Sequence, residues 1–153
     1  MDVLTPTQRR LNMSRIRGKD TKPERLIRSL LHSAGFRFRL HCSNLPGKPD
    51  IVLRKYKTVI FVNGCFWHGH GCSLSKLPET RVSFWKSKIE GTRFRDNCAW
   101  KELKALGWRS IIVWECALRG RRKLSSEVLS GRLSKLIRKP RAMYSALGHR
   151  QTA

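Results

Sequence analysis

The segment from Phe61 to Cys72 constrains this chain most, because one glycine-rich loop holds two thiols, two imidazoles and two large aromatic side chains. Cys65, His70 and Cys72 lie close together there, and Cys and His are the ligands that zinc prefers in proteins. A structural zinc site needs a fourth protein ligand. Cys116 is the best remote candidate, since it follows an apolar run, whereas Cys42 and Cys98 are less well placed. The alternative is a set of buried thiols, and the clustering favours zinc.

A second group of residues has the composition of a catalytic metal site with a base. Asp50 begins one short apolar run, and Val62 ends the next. If these runs pair as hairpin strands, the Asp50 carboxylate and the Val62 backbone carbonyl lie close together, and such oxygen ligands suit Mg²⁺. His68 is either a base that activates water or a surface or second zinc-site histidine. Glu24 and Asp96 are further acids that could join this site. The alternative for Glu24 is a role in a helix capping box, and the alternative for Asp96 is a charge on a helix surface.

The charge balance indicates the class of partner. The chain has 33 Lys and Arg against 10 Asp and Glu, a formal net charge of +23. Such an excess attracts polyanions, so it favours nucleic acid over a surface that is merely solubilised by charge. There is no apolar run long enough for a bilayer and no signal-peptide layout at the N-terminus. We therefore expect an intracellular protein without disulfides.

Exposed aromatic side chains on a basic protein can stack on bases or wedge between base pairs. Phe66 and Trp67 are expected at the tip of the glycine-rich loop, pointing outward. For Phe84, core packing is the favoured interpretation. Met13 and Ile16, on the basic N-terminal segment, are candidates for a second wedge.

Hydrophobic periodicity predicts an α/β protein with a mixed sheet covered by helices. The first helix begins with a capping box formed by Thr21 and Glu24 and ends at Gly35. Strands are predicted over 36–40, 50–53, 58–62 and 109–114, and helices over 80–106 and 124–138. The predicted organisation is a basic N-terminal segment (1–20), one domain (21–138) and a flexible basic tail (139–153). The other histidines, His32, His41 and His149, are expected in ordinary positions or in the tail.

Several collinear motifs resemble the very short patch repair (Vsr) endonuclease family. They are Leu45–Asp50, Val59–His68, Thr80–Arg81 with Phe84–Trp85, and Trp114–Gly120. The likeness runs from about Asn12 to Leu136. It implies a fold like that of type II restriction endonucleases with an added structural zinc. It also implies a Mg²⁺-dependent nick in duplex DNA, 5′ of the thymine in a T·G mismatch that arises by deamination of 5-methylcytosine.

The resemblance also implies roles for individual residues. Asp50 and the Val62 carbonyl would hold Mg²⁺, His68 would activate the attacking water, and Glu24 would act through metal-bound water. The zinc ligands would be Cys65, His70, Cys72 and Cys116. Phe66, Trp67 and Trp85 would intercalate from the major groove, and the segment with Met13 and Ile16 would enter the minor groove. A monomer in the bacterial cytoplasm, associated with the nucleoid, is the implied setting, with mismatch-repair proteins as candidate partners whose coupling the sequence leaves open.

The chain departs from the family pattern at two positions. Val62 stands where the family usually has Thr, which is tolerable if only the backbone carbonyl serves the metal. Asn63 stands where the family often has a second His, and Asn cannot donate a proton as an acid. Asp96 matches an acid that would support that second His, so its role is open. The alternatives are therefore a nuclease of the same fold with a different DNA target and a non-catalytic, zinc-stabilised DNA-binding module.

Overall fold

The computed structural model describes residues 4–16, 18–139 and 142–149. The helices are α1 (Pro6–Ser14), α2 (Lys22–Ser33), α3 (Val82–Ala105) and α4 (Ser126–Arg138). The strands are β1 (Arg39–Leu40), β2 (Ile51–Leu53), β3 (Thr58–Asn63), β4 (Arg109–Trp114) and β5 (Tyr144–Leu147). They form one sheet in the order β1-β2-β3-β4-β5, in which β1, β2 and β3 are antiparallel and β3, β4 and β5 are parallel. The predicted mixed sheet flanked by helices is confirmed.

The sheet separates two hydrophobic cores, because successive side chains of a strand point to opposite faces. Ile111 and Val113 of β4 pack with residues of α2 and α4. Ile112 and Trp114, which alternate with them, pack in the second core with Leu103 of α3. The sheet is thus covered by α2 and α4 on one face and by α3 on the other.

The hairpin between β2 and β3 fixes where Asp50 lies. The chain turns through a short 3₁₀ segment at Arg54–Tyr56, and Lys57 completes the turn in the left-handed region with a φ of 49°. The register pairs Ile51 with Ile60. Asp50 therefore reaches the level at which β3 ends, as the predicted hairpin requires.

The C-terminal segment corrects one prediction. From residue 139 the sequence indicates a flexible tail without regular structure, yet Tyr144–Leu147 form β5 along the edge of β4. Leu147 is buried in the core with α4. This strand lacks a clear alternating pattern of its own, and its order comes from parallel pairing with a distant strand.

Two further elements differ from expectation: one helix was not predicted, and one strand is shorter than predicted. Every residue of α1 is exposed, and Thr5 and Gln8 cap it reciprocally in a segment predicted only as polar and basic. The strand predicted over 36–40 is shorter, because only Arg39–Leu40 pair with β2. Phe36 lies before the strand and packs into the core. Within the described ranges, no helix combines the length and apolar character that crossing a membrane requires.

Candidate active site and metal cluster

The parallel pairing of β3 and β4 builds the thiol cluster. Asn63 lies opposite Trp114 in the register, and each is followed two residues later by a cysteine, Cys65 and Cys116. Parallel strands end at the same edge of a sheet, so both thiols reach the same place. His70 and Cys72 return from the glycine-rich loop, and the four ligand atoms lie within 4.8 Å of one another. The structure thus brings together all four residues predicted as zinc ligands.

The spacing of these atoms fits a tetrahedral zinc ion. Nδ1 of His70 lies 3.6 Å from Sγ of Cys65 and 3.5 Å from Sγ of Cys116. Ordinary Zn–S and Zn–N bond lengths place sulfur and nitrogen about 3.6 Å apart across a tetrahedron. The three thiols are buried. Four protein ligands complete the coordination of zinc, which is the composition of a structural site.

The pKa values of the buried thiols are also consistent with a metal site. Burial raises the pKa of the Cys65 and Cys116 thiols, and the neighbouring Cys72 thiol adds to the effect at both. Backbone N–H groups favour the thiolate form, since Cys116 donates to Sγ of Cys65 at 3.3 Å and His149 donates to Sγ of Cys116 at 3.1 Å. Such thiols stay protonated without a cation and lose their protons when a metal binds.

Aromatic and glycine contacts hold the cluster against the sheet. The imidazole of His70 stacks on Trp114, with ring centroids 4.1 Å apart and planes 7° from parallel. Gly148 presses on the same indole, and a Cβ at that position would lie 2.7 Å from Cβ of Trp114. The strand β5 and the two residues after it therefore close the cluster from the C-terminal side.

The second centre lies at the end of the β2–β3 hairpin. The backbone N–H of Val62 donates to Oδ2 of Asp50 at 2.7 Å. Burial raises the pKa of the Asp50 carboxyl to about 6, although the Val62 hydrogen bond opposes this shift. The charge of Glu24 also raises that pKa and the charge of His68 lowers it, so both of these predicted site residues lie within electrostatic reach of Asp50.

Glu24 is held by a network that the sequence analysis did not identify. Its carboxylate accepts from the backbone N–H of Asp20 at 2.9 Å, so the predicted reciprocal capping box with Thr21 is only half formed. One oxygen each of Asp20 and Glu24 lies with Nε2 of His41 in a group that could hold a metal. Nη2 of Arg28, however, lies 2.8, 3.1 and 2.9 Å from these three atoms, so a guanidinium already supplies the positive charge there. His41 thus belongs to a hydrogen-bonded network, and its ordinary structural position stays a prediction.

His68 faces an acid on α3. Its Nδ1 lies 2.6 Å from Oδ2 of Asp96, and both side chains are mostly buried. The resemblance matched Asp96 to an acid that supports a histidine at the position of Asn63, whereas here Asp96 supports His68. With Nδ1 bonded to the carboxylate, Nε2 is the nitrogen that can accept a proton.

The aromatic residues predicted to contact DNA form one cluster. Ring centroids of Phe66, Trp67 and Trp85 lie 5.0 to 5.8 Å apart. Phe84 contacts Trp85 at 5.2 Å and is 43% exposed, so the expectation that it packs in the core is wrong. Lys88 lies over Phe84, Trp67 and Trp85, which makes the surface of this aromatic cluster both apolar and basic.

Other site residues were not apparent from the sequence. Glu115 accepts a hydrogen bond from the backbone N–H of Cys65, and it pairs with Arg119. For Glu115, the position directly before Cys116 was the one available signal, whereas Met13 and Ile16 had been predicted as a wedge. Met13 and Ile16 are exposed, at 41% and 51%, on and just after α1.

Comparison with known proteins identifies a family and several relatives of this chain. The family model described as DNA mismatch endonuclease Vsr matches residues 1–74. A type II nicking enzyme of Xanthomonas oryzae is 52% identical over 117 residues, covering 76% of this chain and 86% of the relative. The DNA mismatch endonuclease Vsr of Escherichia coli is 48% identical over 136 residues (89% and 87%). A type II nicking enzyme of Neisseria meningitidis is 42% identical over 137 residues (90% and 94%). The resemblance seen in the sequence motifs is confirmed.

Proposed function

We propose that this chain, which belongs to the Vsr family of DNA mismatch endonucleases, nicks one strand of duplex DNA 5′ of the thymine in a T·G mismatch. Such a mismatch arises when 5-methylcytosine deaminates, and the nick would start very short patch repair. The observation that carries the proposal is the His68–Asp96 pair within electrostatic reach of the half-buried Asp50 carboxylate. A base and an anionic metal ligand at one site are the components of phosphodiester hydrolysis.

The chemistry divides between a metal and these side chains. The Asp50 carboxylate and the Val62 carbonyl would hold Mg²⁺, which supplies neutralisation of the charge that develops on the phosphate. Nε2 of His68 takes a proton from the attacking water as the water oxygen bonds to phosphorus and the strand oxygen leaves. Asp96 orients His68 and stabilises the imidazolium that forms. Glu24, held by Arg28, would act through metal-bound water.

The aromatic cluster supports recognition of a distorted duplex. Phe66, Trp67 and Trp85 would enter from the major groove beside the mismatch, and the contact of Phe84 with Trp85 extends the same surface. A T·G pair costs less to unstack than a Watson–Crick pair, so wedging favours the mismatch. The exposed Met13 and Ile16 would enter the minor groove from the N-terminal segment, a second contact in the interface.

We propose that the cluster of Cys65, His70, Cys72 and Cys116 binds structural zinc. Metal analysis of purified protein and of Cys72→Ala tests this, because removal of one ligand should release zinc and unfold the loop. Cys98→Ala is the matched control, since Cys98 lies on α3 outside the cluster and its loss should leave the zinc content unchanged. Zinc retained by Cys72→Ala would contradict the assignment.

Two departures from the family pattern bear on rate. Val62 supplies the proposed metal ligand through its backbone, so the missing Thr hydroxyl is tolerable. Asn63 is buried at the end of β3 and cannot act as an acid. Protonation of the leaving oxygen then falls to water, and Asn63→His should raise the nicking rate. A monomer acting in the bacterial cytoplasm, beside other mismatch-repair proteins, remains the expected setting.

A nuclease of the same fold with another target is the second candidate, favoured by relatives that are named type II nicking enzymes. The deciding experiment incubates the protein with Mg²⁺ or EDTA and a series of duplexes with T·G, other mismatches or no mismatch. Nicking confined to T·G supports the first proposal. Cutting of paired DNA or another mismatch supports the second. Binding without cutting, unchanged in Asp50→Ala, would mean a non-catalytic DNA-binding module.

A further inference from the structure

A deep cleft lies behind the active-site histidine. It has a volume of about 800 Å³ and opens between α3, the glycine-rich loop and the edge formed by β4 and β5. Asp96 and His68, which are joined through Nδ1 of the imidazole, form part of the lining, so the cleft adjoins the proposed base. Its size is that of a site for a small organic ligand.

The floor of the cleft contains a buried hydroxyl without a partner. Ser110 of β4 lines the cleft and is only 2% exposed. Its Oγ makes no hydrogen bond to any residue that the structure describes. A buried hydroxyl left unpaired costs about 1–3 kcal/mol, so a ligand group that reaches it through the cleft lining would be favoured.

One wall of the cleft is aromatic. Tyr144 is next to Ser110 in the register between β4 and β5. The ring of Tyr144 lies 5.1 Å from the ring of Trp100 on α3, and Trp114 lines the inner end. Flat apolar surfaces beside a hydrogen-bonding hydroxyl suit a planar heterocycle such as a nucleobase.

The rim of the cleft is cationic. Arg93, Lys101 and Lys104 of α3 line it with Asn97, at a spacing that places them along one side of the helix. The acid that lines the cleft is Asp96, which is paired with His68. The lining therefore carries an excess of positive charge beside aromatic rings, which suits a phosphate.

We propose that this cleft binds a nucleoside 5′-monophosphate. The base would lie against Tyr144 and Trp100 and bond to Ser110, and the phosphate would bind Arg93, Lys101 and Lys104. This goes beyond mismatch nicking and does not depend on it. Two sources share the chemistry, a free mononucleotide or a 5′-phosphorylated nucleotide at the end of a DNA strand.

Calorimetric titration of the full chain with dTMP, without duplex DNA, tests the proposal. Thymidine and inorganic phosphate are titrated separately, and both should bind more weakly than dTMP. Lys104→Ala should weaken dTMP binding about 10-fold, as expected for loss of one charge-assisted contact. Lys135→Ala, on α4 at the other face of the sheet, should leave it unchanged. Ser110→Ala and Tyr144→Leu should weaken dTMP binding but leave phosphate binding unaltered.

The results separate the proposal from simple charge attraction. No binding of dTMP, or binding that phosphate matches and that Ser110→Ala and Tyr144→Leu do not change, would overturn it. Competition against dTMP by short strands with or without a 5′-phosphate then identifies the source. Displacement only by the phosphorylated strand indicates a strand end, and no displacement indicates a free nucleotide. Neither result depends on T·G nicking, so this proposal and the proposed nicking function can fail separately.

Discussion

Nδ1 of His68 lies 2.6 Å from Oδ2 of Asp96, which joins the glycine-rich loop to α3 through one short hydrogen bond. The two residues are 28 positions apart in the sequence, and the acid is on a helix that also covers the sheet. The contact selects Nε2 as the nitrogen that faces away from α3. It gives Asp96 a place in the site as a positioning residue for the proposed base.

Replacement of Asp96 by Asn should lower the nicking rate by about 100-fold, because the carboxylate no longer orients His68 or stabilises its cation. Single-turnover kinetics should show the loss in the rate constant, with DNA affinity little changed. Glu90→Gln, an exposed acid on the same helix, is the control and should keep the normal rate. An equal loss in both variants would mean that charge on α3, and not the contact with His68, matters.

Asp50→Asn should abolish nicking and yet stabilise the magnesium-free protein. The folded carboxyl has a pKa of about 6 against 3.8 for the ordinary group, so the folded state binds the proton more tightly. The ionised form therefore costs stability above pH 6, and this cost disappears as the pH falls towards 4. The expected gain in free energy of unfolding is about 1–3 kcal/mol at pH 8.

Urea unfolding of Asp50→Asn and wild-type protein at pH 8 and at pH 4.5–5 (about the middle of that window) measures this gain. It should be clearly smaller at the lower pH. A gain of the same size at both pH values, or a loss at pH 8, would contradict the raised pKa of the Asp50 carboxyl.

Gly148→Ala should weaken metal binding by the cluster, although Gly148 is not itself a ligand. The added Cβ would lie 2.7 Å from Cβ of Trp114, which stacks on His70, and the next residue donates to Cys116. We expect a loss of about 1–3 kcal/mol in stability from this overpacking, with faster zinc transfer to a chromogenic chelator. Gly131→Ala in α4, where a Cβ meets no described atom within 4 Å, should instead stabilise by about 0.5–1 kcal/mol. Unchanged zinc transfer in Gly148→Ala would show that β5 does not support the cluster.

Trp67→Ala should weaken binding to a T·G duplex by about 1–3 kcal/mol, the usual value of one stacked aromatic side chain. Binding to a fully paired duplex should change less, since wedging contributes more at a mismatch. Fluorescence polarisation in EDTA measures both affinities without cleavage. Phe94→Ala removes a ring that is 70% exposed on α3, outside the aromatic cluster, and should have little effect. A similar loss for both duplexes would mean that Trp67 supports only general DNA binding.

Local patterns in the sequence predicted the centre of this molecule. β3 and β4 are short β-branched runs bounded by polar residues, and the thiol cluster follows directly from where they end. Cys65 and Cys116 each lie two residues beyond paired positions, so one correct assumption about strand position places both. The hairpin that brings Asp50 to Val62 is equally local.

Relations between distant elements were harder to predict. β5 has no pattern of its own and forms because β4 offers an unpaired edge. The contacts of Arg28 with Asp20, Glu24 and His41 join three separate segments, and only the pair of Glu24 and Arg28, four residues apart on α2, is indicated by spacing. Phe84 was predicted in the core from its residue type alone. In the structure it is exposed and contacts Trp85 of the aromatic cluster.

Strand-resolved cleavage of a duplex with one T·G pair in a CT(A/T)GG context tests the central claim most directly. Each strand is labelled separately, and the reaction is run with Mg²⁺ or EDTA beside a fully paired duplex and the Asp50→Ala protein. The account predicts a single Mg²⁺-dependent nick 5′ of the mismatched thymine, absent with Asp50→Ala. An intact mismatched strand, or equal cutting of the paired duplex, would contradict it.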